Sequence, residues 1–209
     1  MEPLISSLPA GPFGAILADP PWHFSTWGER PWWHNGETVD LSKTRAADKY
    51  YGTMRMEHIL ALPVASVAAP DCTLFLWCCC PQIPEALRVI EAWGFKYKTV
   101  AFTWAKVNKN GSPFFGLGYW TRANAELCLL ATQGHPKRVA KDVPQLVLEG
   151  RREHSRKPDC VRERIQRLVA GPYLELFARS PAPGWVTWGN ETEKFEHVPD
   201  LIITQAGLE

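Results

Sequence analysis

The sequence predicts an α/β protein built on a mostly parallel central sheet with helices on both faces. Two observations predict it. Short apolar runs with the length and composition of buried strands recur along the chain, and amphipathic helical segments alternate with them. Strands this apolar need cover on both sides of the sheet. A chain of 209 residues suffices for one sizeable core. A single domain over residues 1–209 is therefore expected, with its core at about 13–191 and a poorly committed tail at 192–209.

Phe13–Ala18 (FGAILA) reads as the first buried strand. Residues 23–53 form a long irregular stretch, of the kind that is usually functional or mobile. Thr53 is placed to cap a short helix through about Leu60, and Pro63 limits its extension. Cys72–Cys79 (CTLFLWCC) is a second buried strand. In Gln82–Trp93, Ile83, Leu87, Ile90 and Trp93 recur at helical spacing, with Gly94 as the stop. Phe95–Lys106 is a long strand, and Lys109–Arg122 a glycine-rich, aromatic loop. Ala125–Thr132 (AELCLLAT) is strand-like. Val143–Leu148 is a weaker strand after the basic turn His135-Pro136-Lys137-Arg138. Asp159–Val169 is a charged amphipathic helix. Tyr173–Ala178 and Trp185–Trp188 are the last two strands. No internal repeat, low-complexity segment or linker interrupts the series.

Composition excludes several classes. The formal charge of +1 gives only a weak global field, so any polyanionic partner must be met by local clusters. No apolar run approaches the ~18 residues of a membrane helix. The N-terminus lacks the charged start and apolar stretch of a secretion signal, and a cytoplasmic protein without membrane contact is expected. The six cysteines show neither C-x-x-C pairs nor zinc-finger spacing. Cys72, Cys78 and Cys128 fall in strand-like runs, where a reduced thiol acts as a small hydrophobe. Ten tryptophans are present, and Trp22, Trp27, Trp32 and Trp33 crowd into twelve residues. Most of the others read as core.

The chemistry-bearing segment is Asp19-Pro20-Pro21-Trp22, directly after the first strand. Two successive prolines lack N–H donors and fix φ near −65°, so the chain leaves the sheet in a rigid turn. A carboxylate, two free backbone carbonyls and an indole then stand together at the C-terminal edge of the sheet, where ligands bind in open α/β folds. Such an acceptor cluster beside an aromatic plate suits an exocyclic amino group on a flat ring. A proline turn with a core tryptophan fits DPPW taken alone.

Three further segments bear on function. His154-Ser155-Arg156-Lys157-Pro158 precedes a helix, where a cation disfavours the helix dipole unless it helps hold an anionic ligand; a solvated basic turn is the plainer reading. Leu174-Glu175-Leu176-Phe177-Ala178-Arg179 can deliver a guanidinium to the sheet edge, and Trp188-Gly189-Asn190-Glu191 has polar side chains suited to ribose hydroxyls, or is an ordinary turn. No G-x-S-x-G elbow, H-E-x-x-H or P-loop occurs.

The ordered set LADPPW (17–22), YYGTM (50–54), TLFLW (73–77), EAWGFKYKTVAFTWAK (91–106), GLGYWTRANAELCLLATQG (116–134), HSRKPD (154–159), LELFAR (174–179) and WVTWGN (185–190) resembles the adenine-N6 methyltransferase family. That family includes the catalytic subunit of the eukaryotic mRNA methyltransferase and many bacterial and phage enzymes. The order, catalytic motif first, also resembles that of permuted DNA amino-methyltransferases. The resemblance implies a Rossmann-like fold, S-adenosyl-L-methionine as cofactor, and methyl transfer to adenine N6 in nucleic acid.

It further implies that Asp19, Pro20, Pro21 and Trp22 are catalytic, with the Asp19 carboxylate and Pro20 carbonyl accepting from the amino group and Trp22 stacking on the base. Asp19, Lys157, Arg179, Asn190 and Glu191 would bind cofactor, Lys157 holding the cofactor's carboxylate and Arg179, Asn190 and Glu191 contacting its ribose. Tyr119 or Trp120 would supply a second face for the base. Lys137 and Arg138, with the rest of the basic segments at 137–141 and 151–167, and loops 23–53 and 107–123, would contact the polymer. Two departures stand out. Ser180-Pro181-Ala182 replaces a His-Asn pair of eukaryotic members, and Glu191 replaces an amide. DNA is expected over RNA because the chain is small and carries no RNA-binding appendage. RNA adenosine, an inactive nucleic-acid-binding subunit, and a homo- or heterodimer remain alternatives.

Overall fold

The computed structural model describes residues 7–22, 54–118, 120–152, 156–192 and 194. Loop 23–53, with Trp27, Trp32, Trp33 and the expected cap Thr53, lies outside the described residues, as do Tyr119, His154 and Ser155.

The described strands are β1 (Phe13–Ala18), β2 (Ala68–Cys79), β3 (Lys96–Val107), β4 (Glu126–Gln133), β5 (Leu146–Gly150), β6 (Tyr173–Leu176) and β7 (Trp185–Trp188). The helices are α1 (Met56–Leu60), α2 (Ile83–Ala92) and α3 (Cys160–Leu168). One sheet contains all seven strands in the order β5-β3-β4-β2-β1-β6-β7. Neighbours are parallel except at β4, which runs against both β2 and β3. The expected mostly parallel sheet is therefore what the chain forms.

Successive side chains along a strand face opposite sides, and the core divides accordingly. Ile16, Ala18, Leu74 and Leu76 pack with Ile59 of α1 and Ala86, Val89 and Ile90 of α2. Ala15, Leu17, Phe75 and Trp77 pack with Val161 and Ile165 of α3. Helices thus cover both faces. Gly94, at φ 82°, ends α2 in a Schellman motif: its N–H donates to Glu91 O and that of Phe95 to Ile90 O. Trp93 is fully buried and donates its indole N–H to Ile59 O at 2.8 Å, joining α2 to α1.

Some boundaries differ from expectation. Helix α1 begins at Met56 with no side-chain cap. Strand β5 starts at Leu146 rather than Val143, because three loop residues intervene before Thr103 finds its parallel partner. Strand β6 stops at Leu176, because Phe177 enters the left-handed region at φ 61° and breaks the ladder. Cys72, Cys78 and Cys128 are buried and reduced; burial pushes the first two thiols up to about 12. Among the described residues no helix is long and apolar enough to cross a membrane.

Candidate active site

All strands but β4 end at one edge of the sheet, and β4 begins there, since Glu126 pairs with Cys79 and with Trp104. Asp19 follows β1 at this edge, next to the sheet's centre. Its backbone N–H still donates to Leu176 O at 3.4 Å, which fixes the carboxylate beside the end of β6. The prolines then turn the chain. Pro20 O accepts the Trp22 N–H at 2.8 Å, and Pro21 O accepts the Met54 N–H at 2.9 Å. The two carbonyls expected to be free are each already engaged, and each keeps one lone pair.

Trp22 also departs from expectation. Its indole N–H donates to Trp77 O at 3.0 Å, and the residue is only 6% exposed within the α1/α2 core. It acts as a strut under the turn and presents no open plate for a base.

Lys157 lies just before α3, at the same edge. Its Nζ donates to both Asp19 oxygens at 2.8 Å and stands 3.4 Å from Glu126 Oε2. The other Glu126 oxygen accepts from Lys106 Nζ at 2.5 Å. Four charges of alternating sign therefore run Asp19, Lys157, Glu126, Lys106, each side chain about one-sixth exposed. Burial by itself would lower the Lys157 pKa, but the two carboxylates outweigh it and hold it above the usual lysine value. Burial would raise that of Glu126, but Lys157 and Lys106 outweigh it and hold it below the usual carboxylate range.

A cavity beside Asp19 is lined by Leu17, Trp77, Lys157, Phe177, Arg179 and Ser180. Its floor is braced by Arg162 of α3, which grips Glu175 of β6 in a bidentate pair at 2.7 and 3.0 Å and also donates to Ser180 O at 3.3 Å. Burial raises the Glu175 pKa despite this guanidinium. Arg179 lies 3.8 Å from Glu191, which also pairs with Lys194; Asn190 is exposed beside them. The ends of β6 and β7 approach so closely that a Cβ on Gly189 would stand 2.9 Å from Ala178 O. The cations Lys157 and Arg179 suit a carboxylate, and Asn190 and Glu191 suit hydroxyls, so the donor set fits an amino-acid–nucleoside cofactor.

The loop between β3 and β4 forms a second wall. Asn124 accepts from Lys106 N at 2.7 Å and donates to Lys106 O and Phe114 O, and Arg122 donates to Gly116 O and Phe115 O. This framework holds Trp120 out at 94% exposure, over a groove of about 490 Å³ that reaches Cys79, Lys106 and Glu126.

Lys137 and Arg138 lie elsewhere. Because β4 is reversed, its end at Gln133 pairs with Cys72 at the start of β2. Arg138 then bridges to Val169 after α3. Both residues sit at the opposite edge of the sheet from Asp19, away from the cavity. The sequence reading in turn missed Glu126, Lys106, Glu175 and Arg162. The first two were legible only as lone charges at the ends of apolar strands.

The MT-A70 family model matches residues 13–191. The chain is 33% identical over 201 residues to the Type II methyltransferase M.MunI of Mycoplasma sp., covering 91% of this chain and 82% of that protein. It is 28% identical to the N(6)-adenine-specific methyltransferase METTL4 of Homo sapiens, covering 99% of this chain and 43% of that one. It is 26% identical to the N(6)-adenosine-methyltransferase catalytic subunit METTL3 of Homo sapiens, covering 92% and 30%. The chain thus spans less than half the length of either human relative.

Proposed function

The chain belongs to the MT-A70 family of methyltransferases, and from that premise we propose that it transfers the methyl group of S-adenosyl-L-methionine to the N6 amino group of adenine in DNA. The observation that carries the reading is the Asp19 carboxylate, held at the sheet edge beside a cavity that Lys157 and Arg179 help to line. Similarity to a Type II methyltransferase over most of both chains supports DNA as the polymer.

Adenine N6 is a weak nucleophile because its lone pair is delocalised into the ring. Asp19, with the spare lone pair of Pro20 O, accepts the amino hydrogens and draws the nitrogen towards a pyramidal shape. Acceptors of this kind stabilise charge that develops in the transition state. Each Asp19 oxygen that accepts from Lys157 keeps a lone pair for an amino hydrogen. S-adenosylmethionine supplies, when bound, an electrophilic methyl; Lys157 and Arg179 would hold its carboxylate end, and Asn190 and Glu191 its ribose.

In duplex DNA the target base must leave the stack, at a cost of a few kcal/mol. Stacking on an aromatic side chain returns ~1–3 kcal/mol. Trp120 is the exposed indole suited to this, and Trp22 supports the turn from beneath. The test is transfer of labelled methyl to matched DNA and RNA oligonucleotides, with the modified base identified by mass spectrometry. N6-methyladenine in DNA is the expected product. A strong preference for RNA would overturn the choice of polymer, and failure to bind S-adenosylmethionine in calorimetry would favour an inactive nucleic-acid-binding subunit.

A further inference from the structure

The ammonium of Lys157 is shared by two carboxylates, and it sits closer to Asp19 (2.8 Å to both oxygens) than to Glu126 (3.4 Å). In that arrangement both Asp19 oxygens accept from the ammonium, whose positive charge weakens the lone pair left on each as an acceptor for a further donor. Glu126 is the nearest alternative seat for the ammonium, but only as a carboxylate, since a protonated carboxyl offers no charge to receive it. Lys157 and Lys106, the latter 2.5 Å from the far oxygen of Glu126, together supply the charge that lets this partly buried group stay ionised.

Lys106 is itself fixed. Its backbone N–H and C=O are both bonded to Asn124, and its ammonium lies 5.0 Å from the Trp104 ring centroid. It lines the groove under Trp120 and not the cavity beside Asp19, so any effect it has on Asp19 passes through Glu126 and Lys157.

We propose that Lys106 is a positioning residue, which keeps Glu126 ready to take the Lys157 ammonium and so lets Asp19 recover acceptor strength for the adenine amino group. The proposal rests on the reading of Asp19 as the amino-group acceptor. Glu126 is faced by Lys106 from β3, by the thiols of Cys78 and Cys79 from β2, and by Lys157 from the segment before α3; Asp19 lies beyond Lys157. Burial pushes both thiols up to about 12, so they stay neutral at working pH. Glu126 is then the group among these whose ionisation responds to loss of Lys106.

The test is the pH profile of methyl transfer in Lys106→Met and Lys106→Arg variants. With Lys106 gone, one of the two cations that oppose burial is lost and the Glu126 pKa rises. The acid limb of kcat should move up by about one pH unit in Lys106→Met, a tenfold loss at its foot. Activity should recover as pH rises, S-adenosylmethionine affinity should stay within about threefold (our threshold for an unperturbed site, about 0.6 kcal/mol), and Lys106→Arg should restore the wild-type limb. An even loss of kcat at every pH would show a merely structural role and overturn the proposal, as would an unchanged profile.

A second measurement does not depend on turnover. The melting-temperature gap between wild type and Lys106→Met should widen as pH rises through the carboxylate range and vanish in a Glu126→Gln background. If wild type transfers no methyl yet the gap behaves this way, the acceptor reading of Asp19 fails while the link from Lys106 to Glu126 stands. A gap independent of pH or of Glu126 would overturn that link.

Discussion

Asp19 and Lys157 lie 138 positions apart and share two hydrogen bonds. Each was legible alone: the aspartate because two prolines follow an apolar run, the lysine because it stands before a helix start. Their direct contact was not, because the motif order implies neighbouring strands but no side-chain distances. Glu126 was hidden for a different reason. It opens a run that reads as a strand, and an end-of-strand charge looks like ordinary surface until β2 and β3 close around it. Trp22 shows the reverse error, since an indole beside an acceptor cluster looks like a stacking plate whether or not its ring is buried.

At the scale of elements, the reversed strand β4 decides what belongs to the site. In a purely parallel sheet, residues before a strand and after it sit at opposite edges in a fixed sense. Reversing β4 brings its first residue, Glu126, to the edge where Asp19 lies and carries Lys137 and Arg138 away from it. Strand direction is not written in a run such as AELCLLAT, so the edge at which the basic turn lies was not legible. The double charge reversal Lys137→Glu/Arg138→Glu should leave kcat/KM for a short oligonucleotide within about twofold of wild type. For scale, removing an oxyanion-hole donor costs ~10²–10³-fold. Steady-state kinetics on a duplex too short to reach the far edge would check this, and a loss above tenfold would return those residues to the substrate path.

For the whole molecule, the two-faced core was the most legible feature. Alternation along FGAILA and TLFLW assigns each face directly, and the helical spacing in α2 supplies the cover. The charge network sets how this fold responds to pH. Glu126 and Asp159 both have pKa values held below the usual range: burial opposes this, but the lysines around Glu126 and Arg152, Arg156 and Arg162 around Asp159 outweigh it. Their contribution is complete above the unfolded carboxylate pKa of about 4 and is lost as pH falls through the lower folded values. Glu175, raised by burial, has the opposite sign and softens that acid edge. Lys157, held above its usual value, contributes fully below about pH 10 and loses that contribution as pH rises through its folded pKa. Melting temperature should therefore be flat from about pH 5 to 9 and fall on both sides. Lys157→Met should flatten the alkaline fall, and scanning fluorimetry across pH checks it.

On the proposed reading, Asp19 is the group that accepts the amino hydrogens. Asn at this position keeps the shape and still offers Lys157 one acceptor, but puts an N–H₂ donor where the adenine needs an acceptor. The most direct test is single-turnover methyl transfer by Asp19→Asn, with S-adenosylmethionine affinity measured on the same protein. Transfer should fall by ~10²–10³-fold or more, with cofactor affinity changed only a few-fold. A variant that binds cofactor and transfers methyl at the wild-type rate would contradict the account.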